Sequence, residues 1–267
     1  MMNISTMAKL TLLINLVVSM QVSADVDMQQ ACANIARKIA EDNSLKSTQD
    51  KIKTWETYKD QCAGKGVYHS YLADFYAGDG RLKESRELSE WIVKNPTFDT
   101  RFAEKNLVIL DSLEKKTVSE KNRIDLILKK YPNWYAGYAL LGFFELRELR
   151  NFIKARESFE KANALEESAE AYSGLTIVHY LLNEYQKAVD AYQKALDLDL
   201  GIIINKGAAA AAVDSAMILG YWGGAQAVLT AQKEGMPSIV EDPIYLSLKK
   251  RLDNYLADKC NKMTKTK

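Results

Sequence analysis

Between Tyr138 and Leu200 two stretches of the chain carry the same kinds of residue in the same order, and this repetition constrains the fold more than any other feature. In the downstream stretch Tyr172, Leu175 and His179 are spaced to share one face of a helix. Tyr185, Ala188, Tyr192, Ala195 and Leu196 share one face of a second, with Asn183-Glu184 near the turn between them. Upstream, Tyr138, Leu141-Gly142, Phe152, Ala155, Phe159 and Ala162 repeat the scheme. Tyr138 precedes Tyr172 by 34 positions and Ala155 precedes Ala188 by 33, so the upstream turn holds one extra residue.

The alternation of sizes has a packing reason. Small residues (Gly142, Ala155, Ala162, Ala188, Ala195) let helices approach closely, and Tyr138, Phe159, Tyr172 and Tyr192 fill the volume that remains. A large residue, Leu-Gly and an aromatic on a first helix, followed by Ala, an aromatic and Ala on a second, resembles the tetratricopeptide repeat. The resemblance implies an all-α fold, a right-handed superhelical solenoid of antiparallel helix pairs; the alternative is a generic helical bundle with chance periodicity. Looser versions flank the two clear repeats. Tyr68–Asn95 holds a Gly78-Asp79-Gly80 turn before Pro96, Phe102–Tyr131 ends at Pro132, and Gly207–Glu234 is alanine-rich with a Gly220–Gly224 turn. Repeats are therefore expected over 67–100, 101–134, 135–168, 169–202 and 206–236. A divergent hairpin over 25–66, a capping helix over 237–260 and a flexible tail over 261–267 complete the organisation.

The start of the chain reads as a targeting segment. Lys9, the apolar run Leu10–Val18 and the small residues of Val22-Ser23-Ala24 follow the order of a secretory signal peptide cleaved after Ala24. The run is about half of what a membrane-spanning helix requires; an uncleaved anchor is the alternative. Export, to a bacterial periplasm or outside the cell, makes disulfides admissible. Cys32 falls on the first predicted helix of the first hairpin, Met28–Glu41, and Cys62 directly follows the second, Thr48–Gln61, within about one helical turn of each other across it. Their bond would close a loop of 62 − 32 = 30 residues, which contributes roughly 3–4 kcal/mol if unstrained. The alternative is three unpaired cysteines, Cys260 included.

Chemistry is sparse. With 36 Lys+Arg against 35 Asp+Glu, the chain has no strong field to gather phosphates, and nucleic acid is not an expected partner. Of the two histidines, His179 takes a slot in which the repeat has an aromatic, and His69 faces the same kind of core. Neither has the neighbours of a metal-ligand set, and no phosphate loop or nucleophile motif occurs. No enzyme activity, cofactor or metal is expected.

What remains is a surface. In proteins of this repeat the first helices line the concave side, and matching positions bring Phe143 and Arg147, then Ser173, Ile177, Tyr180 and Leu181, then Asp214 and Met217 to that face. Large apolar side chains among small ones suit a peptide or helix, with Arg147 and Asp214 as orienting charges. One step of helix register would bury these residues against the next helix instead. A carboxylate grip is not expected, since Ser70, Ala139, Ser173 and Ala210 occupy places that would need basic donors. The sequence thus predicts a protein-interaction scaffold or chaperone-like adaptor of the bacterial envelope, with an unidentified protein or peptide as partner. A structural subunit of an envelope or secretion assembly is the alternative, followed by an enzyme accessory protein.

Overall fold

The computed structural model describes residues 31–265 except 37, 40, 41, 43, 46, 63–65 and 96–98, with backbone alone at 66, 67, 204 and 259–265. Helix α1 is described at 31–36 and 38–39. It is followed by α2 (Thr48–Glu56), α3 (Lys59–Cys62), α4 (Gly66–Gly78), α5 (Leu82–Val93), α6 (Arg101–Leu113), α7 (Thr117–Lys130), α8 (Tyr135–Arg147) and α9 (Phe152–Leu165). Then come α10 (Ala169–Leu181), α11 (Tyr185–Leu198), a 3-10 turn at Leu200–Ile204, α12 (Lys206–Ile218), α13 (Trp222–Gly235), a second 3-10 turn at Pro237–Glu241 and α14 (Pro243–Lys265). The described residues contain no strand. The leader predicted over 1–24 lies outside them.

Five turns, those joining α4–α5, α6–α7, α8–α9, α10–α11 and α12–α13, are closed by one device. Each holds a single residue with positive φ: Gly80 (78°), Lys115 (57°), Arg150 (49°), Asn183 (59°) and Gly220 (81°). The N–H of the next residue then donates back to the helix just ended, Arg81 to Tyr76 O, Lys116 to Asp111 O, Glu184 to His179 O and Tyr221 to Ala216 O, at 2.7–2.8 Å. These bonds satisfy carbonyls that the helix end leaves open. In the α8–α9 turn the bond runs from Asn151 to Glu145 O, six residues back where the others span five. The extra residue inferred from the 34 and 33 spacing sits here. The weak segment Phe102–Tyr131 turns by the same device as the strong ones.

The chain divides into two compact units, residues 1–123 and 124–267. In the first, Cys32, Ala36, Ile39, Ile52, Trp55, Cys62, Tyr68, Leu72 and Phe75 form one core. Trp55 stacks on Tyr68 with centroids 5.4 Å apart, and its Nε1 donates to Tyr68 O at 3.0 Å. Cys32 and Cys62 are joined in a disulfide, Cα atoms 6.0 Å apart. The helix expected over Thr48–Gln61 is broken at Thr57-Tyr58. Thr57 Oγ1 donates to Thr54 O at 2.7 Å and Tyr58 N to Trp55 O at 3.0 Å, local bonds that compete with the helical pattern. The α5–α6 seam is polar: Asn106 Nδ2 donates to Ser85 Oγ and Ser89 Oγ at 2.9 and 2.8 Å. Asp111, 1% exposed, accepts from Arg86 at 2.8 Å, Arg123 at 2.7 Å and Ser119 at 2.6 Å.

The second unit is organised around Phe159. This fully buried ring from α9 lies over Gly142 of α8 and Gly174 of α10. A Cβ at Gly142 would sit 2.7 Å from Phe159 Cε1, and one at Gly174 would sit closer still to the ring. The aromatic therefore needs a bare backbone on both neighbouring first helices. Tyr192 occupies the matching place on α11 and packs against Ala208, Ala209 and Ala212 of α12. Asn151, Ser168 and Asn205 cap α9, α10 and α12 by accepting from Lys154 N, Ala171 N and Ala208 N, each at 3.2 Å. At the end, Tyr245, Leu248 and Leu252 of α14 bury against Val213, Met217, Ala225, Leu229 and Ile239. The tail expected from 261 is helical through Lys265, since no Gly or Pro follows Pro243 to stop α14.

Candidate partner-binding face

Helices α8, α10 and α12 of the second unit lie side by side. The eight residues predicted for a binding face sit on them, and their environments differ. Phe143 is half-buried and meets the edge of Phe159 at 4.9 Å, so it closes the core as much as it offers a surface. Ile177 is also half-buried, packed toward Tyr192 and the start of α12. Arg147 is exposed, and its Nε donates to Glu148 Oε1 at 2.7 Å. Leu181 is 39% exposed.

Two expectations do not hold. Ser173 is 1% exposed and Met217 3%, and neither presents an atom to a ligand. Ser173 Oγ donates to Glu170 O at 2.8 Å within its own helix, while Met217 packs with Val213, Ala225 and Leu229. The physical reason is the register ambiguity visible in the sequence: on a closely stacked helix, facing the groove and facing the next helix differ by one position.

The middle of the face is polar, not apolar. Tyr180 Oη donates to Asp214 Oδ2 at 2.7 Å, and Asp214 Oδ1 takes Arg251 Nη1 of α14. The hydrogen bond to Asp214, with burial adding to it, pushes the Tyr180 phenol up to about 12. Asp214, expected as an orienting charge, is thus already engaged by two side chains of the protein. Nearby, His179 is a packed ring, 2.6 Å through Nδ1 from Glu184 Oε2; that bond holds the Glu184 carboxyl below the ordinary carboxylate range.

Sequence reasoning missed Arg251, because nothing in a predicted capping helix says which charge folds back onto α12. It also missed a stripe in the first unit, where α6 turns Phe102, Ile109 and Leu113 to solvent. Their 7- and 4-residue spacing was the available signal, hidden by the weak register of that segment. Among the described residues no group of three or more His, Cys, Asp or Glu is placed to hold a metal, and no helix is long and apolar enough to cross a membrane.

No protein-family model matches the sequence, and no curated protein matches it. Solved structures do. A thermophilic TPR protein from Thermus thermophilus is similar with a TM-score of 0.54 at 18% identity, over 72% of this chain and 99% of that one. The chain has the tetratricopeptide-repeat fold. Two further tetratricopeptide-like matches share its architecture at low identity. Yeast Tom70 gives a TM-score of 0.59 at 11% identity, over 86% of this chain and 47% of that one. Pseudomonas aeruginosa pilF gives 0.53 at 13%, over 85% and 99%. The chain spans about half the length of Tom70. Helices α8, α10 and α12 carry the segments that the sequence pattern matches to the first helices of successive repeats.

Proposed function

We propose that the protein is a non-enzymatic interaction scaffold or chaperone-like adaptor, exported to the bacterial envelope, that holds a peptide or helix of a partner protein on the first-helix face of its second unit. The observation that carries this reading is the persistence of accessible large side chains there. Leu181 and Arg147 are exposed and Phe143, Ile177 and Tyr180 are half-buried, above a core in which Phe159 and Val178 are fully closed. Aromatic and aliphatic anchors beside an arginine are the composition that concentrates binding energy in protein interfaces. The Lys9, Leu10–Val18 and Val22-Ser23-Ala24 pattern supports export, and a disulfide with both sulfurs in a core suits an oxidising compartment.

Peptides enriched on the immobilised protein from a random display library test the reading. Leu181→Glu and Arg147→Glu are expected to weaken their binding at least tenfold while thermal unfolding followed by circular dichroism stays unchanged. Binding that survives both substitutions, or a library that enriches nothing, removes it. Export is tested separately by whether the intact mass from the envelope fraction begins at Asp25. A second reading, a structural subunit of an envelope assembly, draws on Leu149, Ile153, Ile218 and Tyr221, all exposed at the hairpin turns. Co-purification of an assembly indifferent to Leu181→Glu and Arg147→Glu would favour it.

A further inference from the structure

Ion pairs on the first-helix face of the second unit are turned the same way round. Helix α14 runs beside α12 in the same direction, since Asp242 at its start meets Lys206 and Arg251 further along meets Asp214. In the first pair the Lys206 side chain is 55% exposed and that of Asp242 18%; in the second, Arg251 is 49% exposed and Asp214 15%. Arg147 is likewise more open than its partner Glu148. Elsewhere in the unit the order reverses: Glu160 is more exposed than Arg156, and Asp253 more than Lys249. The outward cations are thus a property of this face and not of long basic side chains in general.

The two inner carboxylates at the α12–α14 seam are engaged through both oxygens. Asp214 accepts from Tyr180 Oη through Oδ2 at 2.7 Å and from Arg251 Nη1 through Oδ1. Asp242 accepts from Lys206 Nζ through Oδ2 at 3.1 Å, and from Ile244 N and Tyr245 N through Oδ1 at 2.9 and 3.3 Å. Little of either is left for a cation arriving from solvent. The cations are in the opposite condition. Lysine carries three donors and arginine five; Lys206 gives one to Asp242 and Arg251 one to Asp214, and the exposed heads keep the rest for an incoming acceptor. Lys206, Ala210 and Asp214 follow one another at four-residue spacing on one face of α12, which sets the two ion pairs about 12 Å apart along the helix. The ground between them is apolar. Ala210 stands midway with Ile244 at its border, and Ile177 Cδ1 of α10 lies 3.3 Å from where a Cβ on Gly207 would be.

We propose that the polypeptide held on this face is acidic: an extended segment with two carboxylates four residues apart, one on Lys206 and one on Arg251, and an apolar side chain midway over Ala210. Four residues of extended chain span about 13 Å, close to the separation of the two pairs. Alternate side chains of such a segment point the same way, so both carboxylates and the residue halfway between them reach the protein together. A basic segment would meet two outward cations and two carboxylates that are already engaged. Complementarity of this kind chooses the partner and sets its register. The inference rests on the reading of the protein as a polypeptide binder and adds to it the charge of the bound segment.

The full chain is titrated with acetyl-Asp-Ala-Leu-Ala-Asp-amide and with its twins carrying Asn or Lys in place of both Asp, while the backbone amides of Lys206, Ala210 and Arg251 are followed by NMR. The acidic peptide is expected to shift all three signals with a Kd about fivefold below that of the Asn twin, an advantage that raised salt removes. Lys206→Gln and Arg251→Gln are each expected to cut the advantage to about twofold, and Lys206→Arg to keep it. Arg251→Gln also unpairs Asp214, so Lys206→Gln, at an exposed pair, decides the matter should that variant unfold. Equal affinity for the acidic and Asn peptides, or tighter binding of the Lys twin, would overturn the proposal. Binding to phosphatidylglycerol vesicles or to polyphosphate with the peptide shifts absent would overturn it too. If no acidic preference appears while the display-selected peptides still depend on Leu181 and Arg147, the preference fails and the reading of the face stands. If the library enriches nothing and none of the three peptides moves a signal, both fail.

Discussion

Replacing Gly174 by alanine tests the packing that organises the second unit. At an open helix position the change stabilises by about 1 kcal/mol, because glycine gives up more backbone freedom on folding. At Gly174 the added methyl would run into three atoms of the Phe159 ring, each closer than carbon atoms approach. The ring has nowhere to go: it is fully buried, Gly142 backs it at 2.7 Å from a built Cβ, and Phe143 meets its edge at 4.9 Å. Helix α10 must shift instead. Overpacking costs about 1–3 kcal/mol, and a rigid ring puts this site at the upper end. After the propensity gain, a net loss of about 2 kcal/mol is expected, lowering the melting temperature by roughly 4–8 °C. Gly224→Ala, where nothing lies within 4 Å of a built Cβ, serves as the control and should stabilise by about 0.5–1 kcal/mol. In the double variant Gly174→Ala/Phe159→Leu the smaller side chain leaves room, so the cycle should show a coupling of at least about 1 kcal/mol. Urea unfolding followed by circular dichroism and by Trp134 and Trp222 fluorescence reads the unaltered protein, the two glycine variants, Phe159→Leu and the double variant. A neutral or stabilising Gly174→Ala, or strict additivity with Phe159→Leu, would refute the reasoning.

Three other perturbations follow from the same structure. Burial alone would raise the Asp111 carboxyl, but hydrogen bonds from Ser119, Arg123 and Arg86 outweigh it and hold it below the ordinary range. Its stabilisation is therefore present above the unfolded carboxylate value of about 4 and is lost as pH falls through the lower folded value. Asp111→Asn should cost about 3 kcal/mol at neutral pH and flatten the acid limb of the stability profile, and an unchanged limb counts against the network. Cys62→Ser opens a 30-residue loop and should destabilise the first unit by roughly 3–4 kcal/mol, seen as an earlier transition in Trp55 fluorescence; the same transition in unaltered and variant protein would mean the bond is not formed. Tyr192 keeps a hydroxyl that is buried and without a partner, and burial pushes its phenol up to about 12. Tyr192→Phe should then stabilise by about 1 kcal/mol, and a loss of stability would show that the hydroxyl is satisfied in solution.

The face predicted from the repeat shows where sequence reasoning reaches its limit. Phe143 and Arg147 lie on α8 and Ile177, Tyr180 and Leu181 on α10, because the positions of these helices follow from 3.6-residue periodicity. Ser173 and Met217 are on the same helices but inside, because exposure depends on how closely the next helix approaches, and no spacing records that distance. Asp214 looked like a free charge; its partners Tyr180 and Arg251 lie 34 and 37 positions away.

The helix pairs of the two clear repeats and the extra residue in the turn of the upstream one were legible in the sequence, since these depend on local periodicity and on carbonyls that each helix end must satisfy nearby. What only the tertiary structure decided is which surfaces meet. Phe159 reaches past its own hairpin to the bare backbone of Gly174, and Arg251 returns to α12. Each of these depends on distances of a few ångströms between helices far apart in the chain, and close packing makes such distances a property of all the contacting side chains together.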